Sequence, residues 1–169
     1  MNVLKQNFYE KSLALKSDIK ELLRSNGDKI IDKVSLSQVY GGARSIKMMV
    51  WETSALDPID GIRFRGYSIP ELKKLLPAGV DGNEPKPEGL FWLMLVGEIP
   101  SAEDADWLTE EWRKRGQVPS YLFKVLDQLP TSTHPMTQFS VAINAMQTDS
   151  IFAKKYGEGI SKTEYWDPV

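Results

Sequence analysis

The sequence predicts a mainly α-helical chain with one small β-hairpin near residues 46–65. Three observations carry that reading. Apolar residues recur three, four or seven apart in most segments, which places them on one face of a helix. Turn signals separate those segments by two to six residues, the spacing of antiparallel helical neighbours. One stretch, rich in Met, Val and Trp, has β character instead.

From residue 4 to 23, Leu4, Phe8, Leu15, Ile19 and Leu22 form an apolar stripe, and Gly27 closes the helix. Ser35 and Gln38 spell a capping box that opens a short helix, ended by Gly41-Gly42. Residues 46–53 and 62–64 read as two strands joined by the turn Leu56-Asp57-Pro58-Ile59-Asp60-Gly61. Ser68 and Glu71 form a second capping box with Pro70 in the first turn, and that helix stops near Pro77. After a Gly/Pro-rich loop, Pro87 opens a segment apolar nearly all round, a pattern that demands burial. Ser101 caps a helix with Ala105, Leu108 and Trp112 on one face, ending at Gly116. Two further helices lie between Pro119 and Pro130 and over Met136, Phe139, Ile143 and Met146, the second entered through Thr133-His134-Pro135. Ser161 with Glu164 spells a last capping box, and the chain stops at Val169, little more than one turn later. A lone helical turn is unstable in water, so this end reads as a cut through an element.

Composition narrows the chemistry. The 169 residues are 41% hydrophobic, enough for one globular core. Lys and Arg number 21 against 23 Asp and Glu, and a net charge of -2 gives a nucleic acid no electrostatic footprint. With no cysteine, thiol nucleophiles, disulfides and cysteine-ligated metals are excluded, and the single histidine, His134, cannot build a catalytic zinc site. The longest apolar run, residues 90–96, is far too short to span a bilayer. Glu10, Asp18 and Glu21 in the first 25 residues are unlike a transit peptide, so the start reads as mature protein.

Two positions are candidate anion contacts. In Tyr40-Gly41-Gly42-Ala43-Arg44, a guanidinium beside two glycines suits a phosphate, through exposed N–H groups and a planar fork; a helix-ending turn with a surface arginine is the alternative. Lys162 follows Gly157-Glu158-Gly159 at a helix start, where an anion is welcome, although by themselves the residues favour an ordinary exposed lysine. His134 reads as a helix cap. The acids Glu103, Asp104, Asp106, Glu110 and Glu111 read as a solvated face matched to the helix dipole, with Arg113, Lys114 and Arg115 at the other end. Trp107, Trp112, Tyr165 and Trp166 lack the basic groove a nucleotide platform needs, and Asp57, Asp60 and Gly61 read as a hairpin turn, not a calcium loop. No catalytic residue and no metal ligand emerges.

Six segments, taken in order, resemble the eukaryotic type of citrate synthase: YGGAR at 40–44, ETSALDP at 52–58, GIRFRGYSIPE at 61–71, PKPEGLFW at 85–92, HPM at 134–136 and YGEGISKTEYW at 156–166. The resemblance implies that residues 1–169 are the N-terminal part of that family's large helical domain. It also implies a homodimer condensing acetyl-CoA with oxaloacetate and water to citrate and CoA, with no permanently bound cofactor. The family's proton-removing aspartate and its two catalytic histidines would follow Val169, and His134 matches none of them. Arg44 would contact CoA phosphates in the closed enzyme, and Lys162 matches a second CoA-contacting basic position, often arginine. A mitochondrial matrix location is implied as well, with no membrane or nucleic-acid partner. The fragment alone would be inert. Two other readings are an assembly module that joins itself or a separate catalytic half, and a relative using propionyl-CoA to make 2-methylcitrate.

Overall fold

The computed structural model describes residues 3–43, 45, 46, 48, 54–79 and 82–165. They fall into two units, one drawn from Met1–Tyr9 with Asp106–Val169, the other from Glu10–Ala105. In chain order the helices are α1 (Val3–Asn26), α2 (Leu36–Tyr40), α3 (Ile69–Leu75), α4 (Pro87–Val96), α5 (Ala102–Arg115), α6 (Ser120–Asp127), α7 (Pro135–Ala145) and α8 (Ile151–Gly157). Between α2 and α3 lie three short strands, β1 (Ser54–Asp57), β2 (Gly61–Phe64) and β3 (Tyr67–Ser68). The mainly α fold class is therefore what the structure has.

α1 ends where the N–H of Gly27 donates to Leu23 O at 2.8 Å. A Cβ at that glycine would sit 2.6 Å from the same oxygen, which explains the residue type. The stripe behaves differently along its length: Leu4 is fully buried, whereas Leu15, Ile19 and Leu22 are exposed. The capping box of α2 forms as read, with Gln38 N–H donating to Ser35 Oγ at 3.3 Å and Ser35 N–H donating to Gln38 Oε1 at 2.9 Å.

The hairpin lies within the expected 46–65, and a third strand extends the sheet beyond it. Its first described strand is Ser54–Asp57, and most of the expected strand 46–53 lies outside the described residues. Leu56 and Asp57, read as turn, pair antiparallel with Ile62 and Gly61. The reason is the Asp57 carboxylate. Its Oδ1 accepts from Ile59 N–H at 2.7 Å and Asp60 N–H at 2.8 Å, so the side chain closes the turn and frees the backbone for the ladder. These two backbone donors, Asp60 first, hold the Asp57 carboxyl below its usual range. A third strand, missed in the sequence, adds Tyr67 and Ser68 opposite Phe64 and Arg63.

Unit Glu10–Ala105 centres on α4, where Trp92, Leu93 and Val96 are buried. Leu93 joins Leu72 of α3 and Leu76, the C-cap of that helix, in a cluster covered by Phe64, Tyr67, Leu90 and Ile99. Arg65, a non-glycine residue at φ +50, reaches from the β2–β3 turn to the end of α4 and donates from Nη2 to Met94 O at 2.7 Å. A cation there complements the negative end of the helix. Gly97 ends α4 at φ +79, with its N–H on Leu93 O at 2.8 Å.

In the other unit, Leu108 and Leu122 are buried, and α6 packs on α7. Tyr121 Oη donates to Asp149 Oδ2 at 2.7 Å and approaches Ala145 O at 3.1 Å, tying α6 to the end of α7. That carboxylate partner raises the Tyr121 pKa above its ordinary value. His134 caps α7, its Nδ1 accepting from Met136 N–H at 3.2 Å. α7 buries Ala142 and leaves Met136, Phe139 and Ile143 exposed, so the larger side chains face outward. A short 3-10 segment, Met146–Asp149, leads into α8, capped by Ser150.

The α3 capping box offers a pH test. Glu71 Oε2 accepts from the Ser68 hydroxyl at 2.6 Å and the Ser68 N–H at 2.7 Å, and these bonds, the hydroxyl first, lower the Glu71 pKa. A lowered folded value means that the contribution is present above the unfolded pKa and is lost as pH falls through the folded one. Ser68→Ala is expected to cost about 1 kcal/mol near neutrality. Carboxyl NMR titration should show Glu71 moving up toward its ordinary value in that variant; an unmoved titration would remove the hydroxyl as the cause.

Candidate anion-binding site

α2 runs into a tight chain reversal. The N–H groups of Gly41, Gly42 and Ala43 donate to Ser37 O at 2.9 Å, Val39 O at 3.2 Å and Gln38 O at 2.9 Å. The expected exposed N–H groups are thus spent on the helix end, which corrects that part of the phosphate-cradle reading. Gly42, Ala43 and Ser45 take φ of +74, +60 and +62. Two of these three are non-glycine residues in the left-handed region, a strain that accumulates at functional turns. Gly41 itself has φ -76, so the reversal begins one residue later than the helix end. A depression of about 400 Å³ lies here, lined by Ser37, Gln38, Gly41 and Ser45. Arg44 lies outside the described residues.

Lys162 belongs to the other unit. The N–H of Gly159, at φ +81, donates to Tyr156 O at 3.0 Å and closes the end of α8. A single 3-10 turn, Lys162–Glu164, follows. The capping box read at Ser161 does not form there: the Ser161 hydroxyl pairs with Thr163 Oγ1 at 2.9 Å and caps no backbone N–H. A hydroxyl two residues on competes with the backbone for the same short side chain. What holds this turn is aromatic. The Tyr165 ring meets Phe152 of α8 edge to face, centroids 5.2 Å apart at 88°, and the Tyr156 ring lies 6.0 Å from Phe152, tilted at 45°. Lys162 is exposed and makes no ion pair among the described residues. Lys155 is not available in the same way, because Glu158 Oε2 holds its ammonium at 2.8 Å.

Phe152 is the residue that sequence reasoning missed. The signal was Ser150 preceding an apolar turn, an N-cap pattern whose Oγ accepts from Ala153 N–H at 3.1 Å.

The acids of α5 behave as a solvated face. Glu110 pairs with Arg113 at 2.7 Å, and Glu111 pairs with Lys114 at 2.9 Å and Arg115 at 3.7 Å. Among the described residues no group of three or more His, Asp or Glu side chains converges as a metal site would, and no helix is long and apolar enough to cross a membrane. A second depression, about 220 Å³, lies between α3 and α4 with Leu72, Leu76 and Leu90 in its lining and the Lys73–Glu84 ion pair, 2.8 Å, at its edge.

A family model described as citrate synthase, C-terminal domain, matches residues 42–169. The chain is 48% identical, over 97% of its length, to a protein of Aspergillus niger named mitochondrial citrate synthase. It is 47% identical over 96% of its length to a protein of Emericella nidulans with the same name. In both cases it spans about a third of the relative's length, 34%.

Phe152→Ala should loosen the Lys162 turn without unfolding α8. An edge-to-face pair contributes about 0.5–1.5 kcal/mol beyond burial. Amide exchange at residues 161–165 is expected to accelerate severalfold while exchange within α6 and α7 is unchanged; a global change would show the ring to be part of the core instead.

Proposed function

The chain belongs to the citrate synthase family, and we propose on that premise that it forms the N-terminal part of the large helical domain of an enzyme condensing acetyl-CoA with oxaloacetate and water to citrate and CoA. The observation that carries this reading is the 48% identity maintained over 97% of the chain. Acetyl-CoA and CoA are substrate and product here, not resident cofactors. The reaction's aspartate base and its two histidines belong to the part of the family that follows residue 169, so this segment contributes binding without bond making.

Arg44 and Lys162 are the binding residues in this reading, Arg44 for CoA phosphates and Lys162 as a second basic contact to CoA. The fit of Lys162 rests on an exposed ammonium, free of ion pairs among the described residues, on a turn braced by Phe152. Lysine in place of arginine keeps the charge and gives up the bidentate fork. A charge-assisted hydrogen bond contributes about 1.5–3 kcal/mol, so neither residue holds CoA by itself.

A homodimer follows from the same reading. Phe123, Met136, Phe139 and Ile143 are 57, 62, 59 and 49% exposed, an apolar face on the packed pair α6 and α7 that suits a second copy. The mitochondrial matrix is the proposed location, after the printed names of the relatives.

Two experiments test this. The isolated chain mixed with acetyl-CoA and oxaloacetate should release no free thiol, and release would overturn the assignment of catalysis to the part that follows. In a hybrid joining this chain to the remaining two thirds of the Aspergillus niger relative, Lys162→Ala should raise KM for acetyl-CoA about tenfold, equivalent to about 1.4 kcal/mol. With kcat within twofold and Lys162→Arg restoring KM, the residue binds ground and transition states alike. An unaltered KM would remove Lys162 from the site. For the dimer face, Phe139→Asp should weaken self-association at least tenfold by analytical ultracentrifugation, and a wild-type-like profile would place the interface elsewhere.

A further inference from the structure

Asn26 is the one asparagine of this chain followed by a glycine. The pair is reactive for an elementary reason. Gly27 has no side chain to shield its backbone nitrogen, and that nitrogen closes a five-membered ring when it reaches the Asn26 side-chain amide. Ring closure forms a bond from Gly27 N to Asn26 Cγ and breaks the Cγ–Nδ2 bond; ammonia leaves, taking up the proton of the Gly27 N–H. Water then opens one of the two carbonyl–nitrogen bonds of the cyclic imide, giving aspartate or isoaspartate at residue 26.

The end of α1 holds both reacting groups. The Gly27 N–H donates to Leu23 O at 2.8 Å, and Asn26 Nδ2 donates to Leu22 O at 3.3 Å. Asn26 is the last helical residue, so ring closure also needs rotation about its Cα–C bond out of the helical range. The glycine is fixed by the helix end, because a Cβ there would sit 2.6 Å from Leu23 O. The lock itself is weak. Residues 20–25 are all exposed, Leu22 at 59% and Leu23 at 62%. The Glu21 carboxylate pairs with Arg24 at 2.9 Å and accepts from Ser25 Oγ at 2.8 Å, contacts of the exposed kind that contribute little. A terminal turn with so little buried surface opens far more often than the fold as a whole.

We propose that Asn26 is a site of spontaneous, non-enzymatic deamidation, gated by opening of the last turn of α1. Each opening frees the Gly27 nitrogen and the Asn26 amide together. The products act on the same turn. A carboxylate at residue 26 meets the negative end of the helix, two residues before Asp28. Isoaspartate also adds a methylene to the main chain, which displaces the Gly27 N–H from Leu23 O. Conversion therefore leaves the turn open, and the modification accumulates in one direction as the molecule ages. Asn144 supplies the internal contrast: its Nδ2 donates to Ser140 O at 2.9 Å, the same bond four residues back, but Ala145 follows it. The inference is independent of the CoA and homodimer readings.

Peptide mapping by mass spectrometry tests it, with isoaspartate identified by labelling with an isoaspartyl methyltransferase. On incubation of the chain in mildly alkaline buffer, Asn26 should convert to a mixture of aspartate and isoaspartate before any change at Asn144. In the same chain unfolded in guanidinium chloride, Asn26 should convert at least tenfold faster. An intact Asn26 in the folded chain, under conditions where the unfolded chain converts, would overturn the site, and equal rates in the two would overturn the gate. Leu23→Gly probes the opening directly. A glycine within a helix costs about 1 kcal/mol, about fivefold in the opening equilibrium, so deamidation and hydrogen exchange at the Gly27 amide should both rise about fivefold. Faster exchange with unchanged deamidation would sink the gate. Asn26→Gln keeps the amide but enlarges the ring, and should abolish the acidic product; the same yield in that variant would place the reaction at another residue.

Discussion

Helix α4 has no polar side to give to solvent. Ten residues, Pro-Glu-Gly-Leu-Phe-Trp-Leu-Met-Leu-Val, contain one charge, and the three residues that set its orientation, Trp92, Leu93 and Val96, are buried. A helix apolar all round is stable only when neighbours cover it on several sides. That requirement places α3, whose Leu72 and C-cap Leu76 meet Leu93, and it places the sheet, whose Phe64 and Tyr67 close over the same cluster. Arg65 belongs to the same arrangement: with its backbone at φ +50, its guanidinium donates to Met94 O in the last turn of α4. The favourable cation at the helix end offsets the cost of about 1–2 kcal/mol that a non-glycine residue incurs there.

Much of this organisation was legible in the residues. Capping boxes at Ser35 and Ser68 and the histidine cap of α7 formed as their spacing implies, because each depends on atoms within three residues of one another. The burial of α4 was legible for the same reason that it matters, namely composition. What was not legible depends on competition between local partners. Leu56 and Asp57 join the strand instead of the turn because Asp57 satisfies the turn with its side chain, a choice that the string Leu-Asp-Pro-Ile-Asp-Gly leaves open. Ser161 had the spacing of a cap and paired with Thr163 instead. Periodicity likewise located α7 but not its orientation: the stripe of Met136, Phe139 and Ile143 marks the exposed face, and small Ala142 the buried one.

The candidate site shows the same division. A lysine or arginine can be picked from sequence by its neighbours, but its presentation comes from packing several residues away. Lys162 sits on a turn whose anchor is a ring pair between Tyr165 and Phe152, 13 positions apart in sequence. The glycines before Arg44 do not leave their amides for a ligand; they spend them closing α2, and the turn is held in left-handed conformations by those bonds.

The apolar side chains left exposed along α1, residues 28–35 and α7 also affect the calorimetry of the chain. The heat capacity of unfolding measures how much apolar surface enters water when the fold is lost, and globular proteins typically give about 12–15 cal/mol/K per residue. Side chains such as Ile30 at 85% exposure and Leu22 at 59% are already hydrated in the folded state and add little to that change. A smaller heat capacity change flattens a stability curve, broadening its maximum. Covering the same residues would steepen the curve and sharpen melting, so the curvature of a single thermogram reports how much of the surface has found its partner.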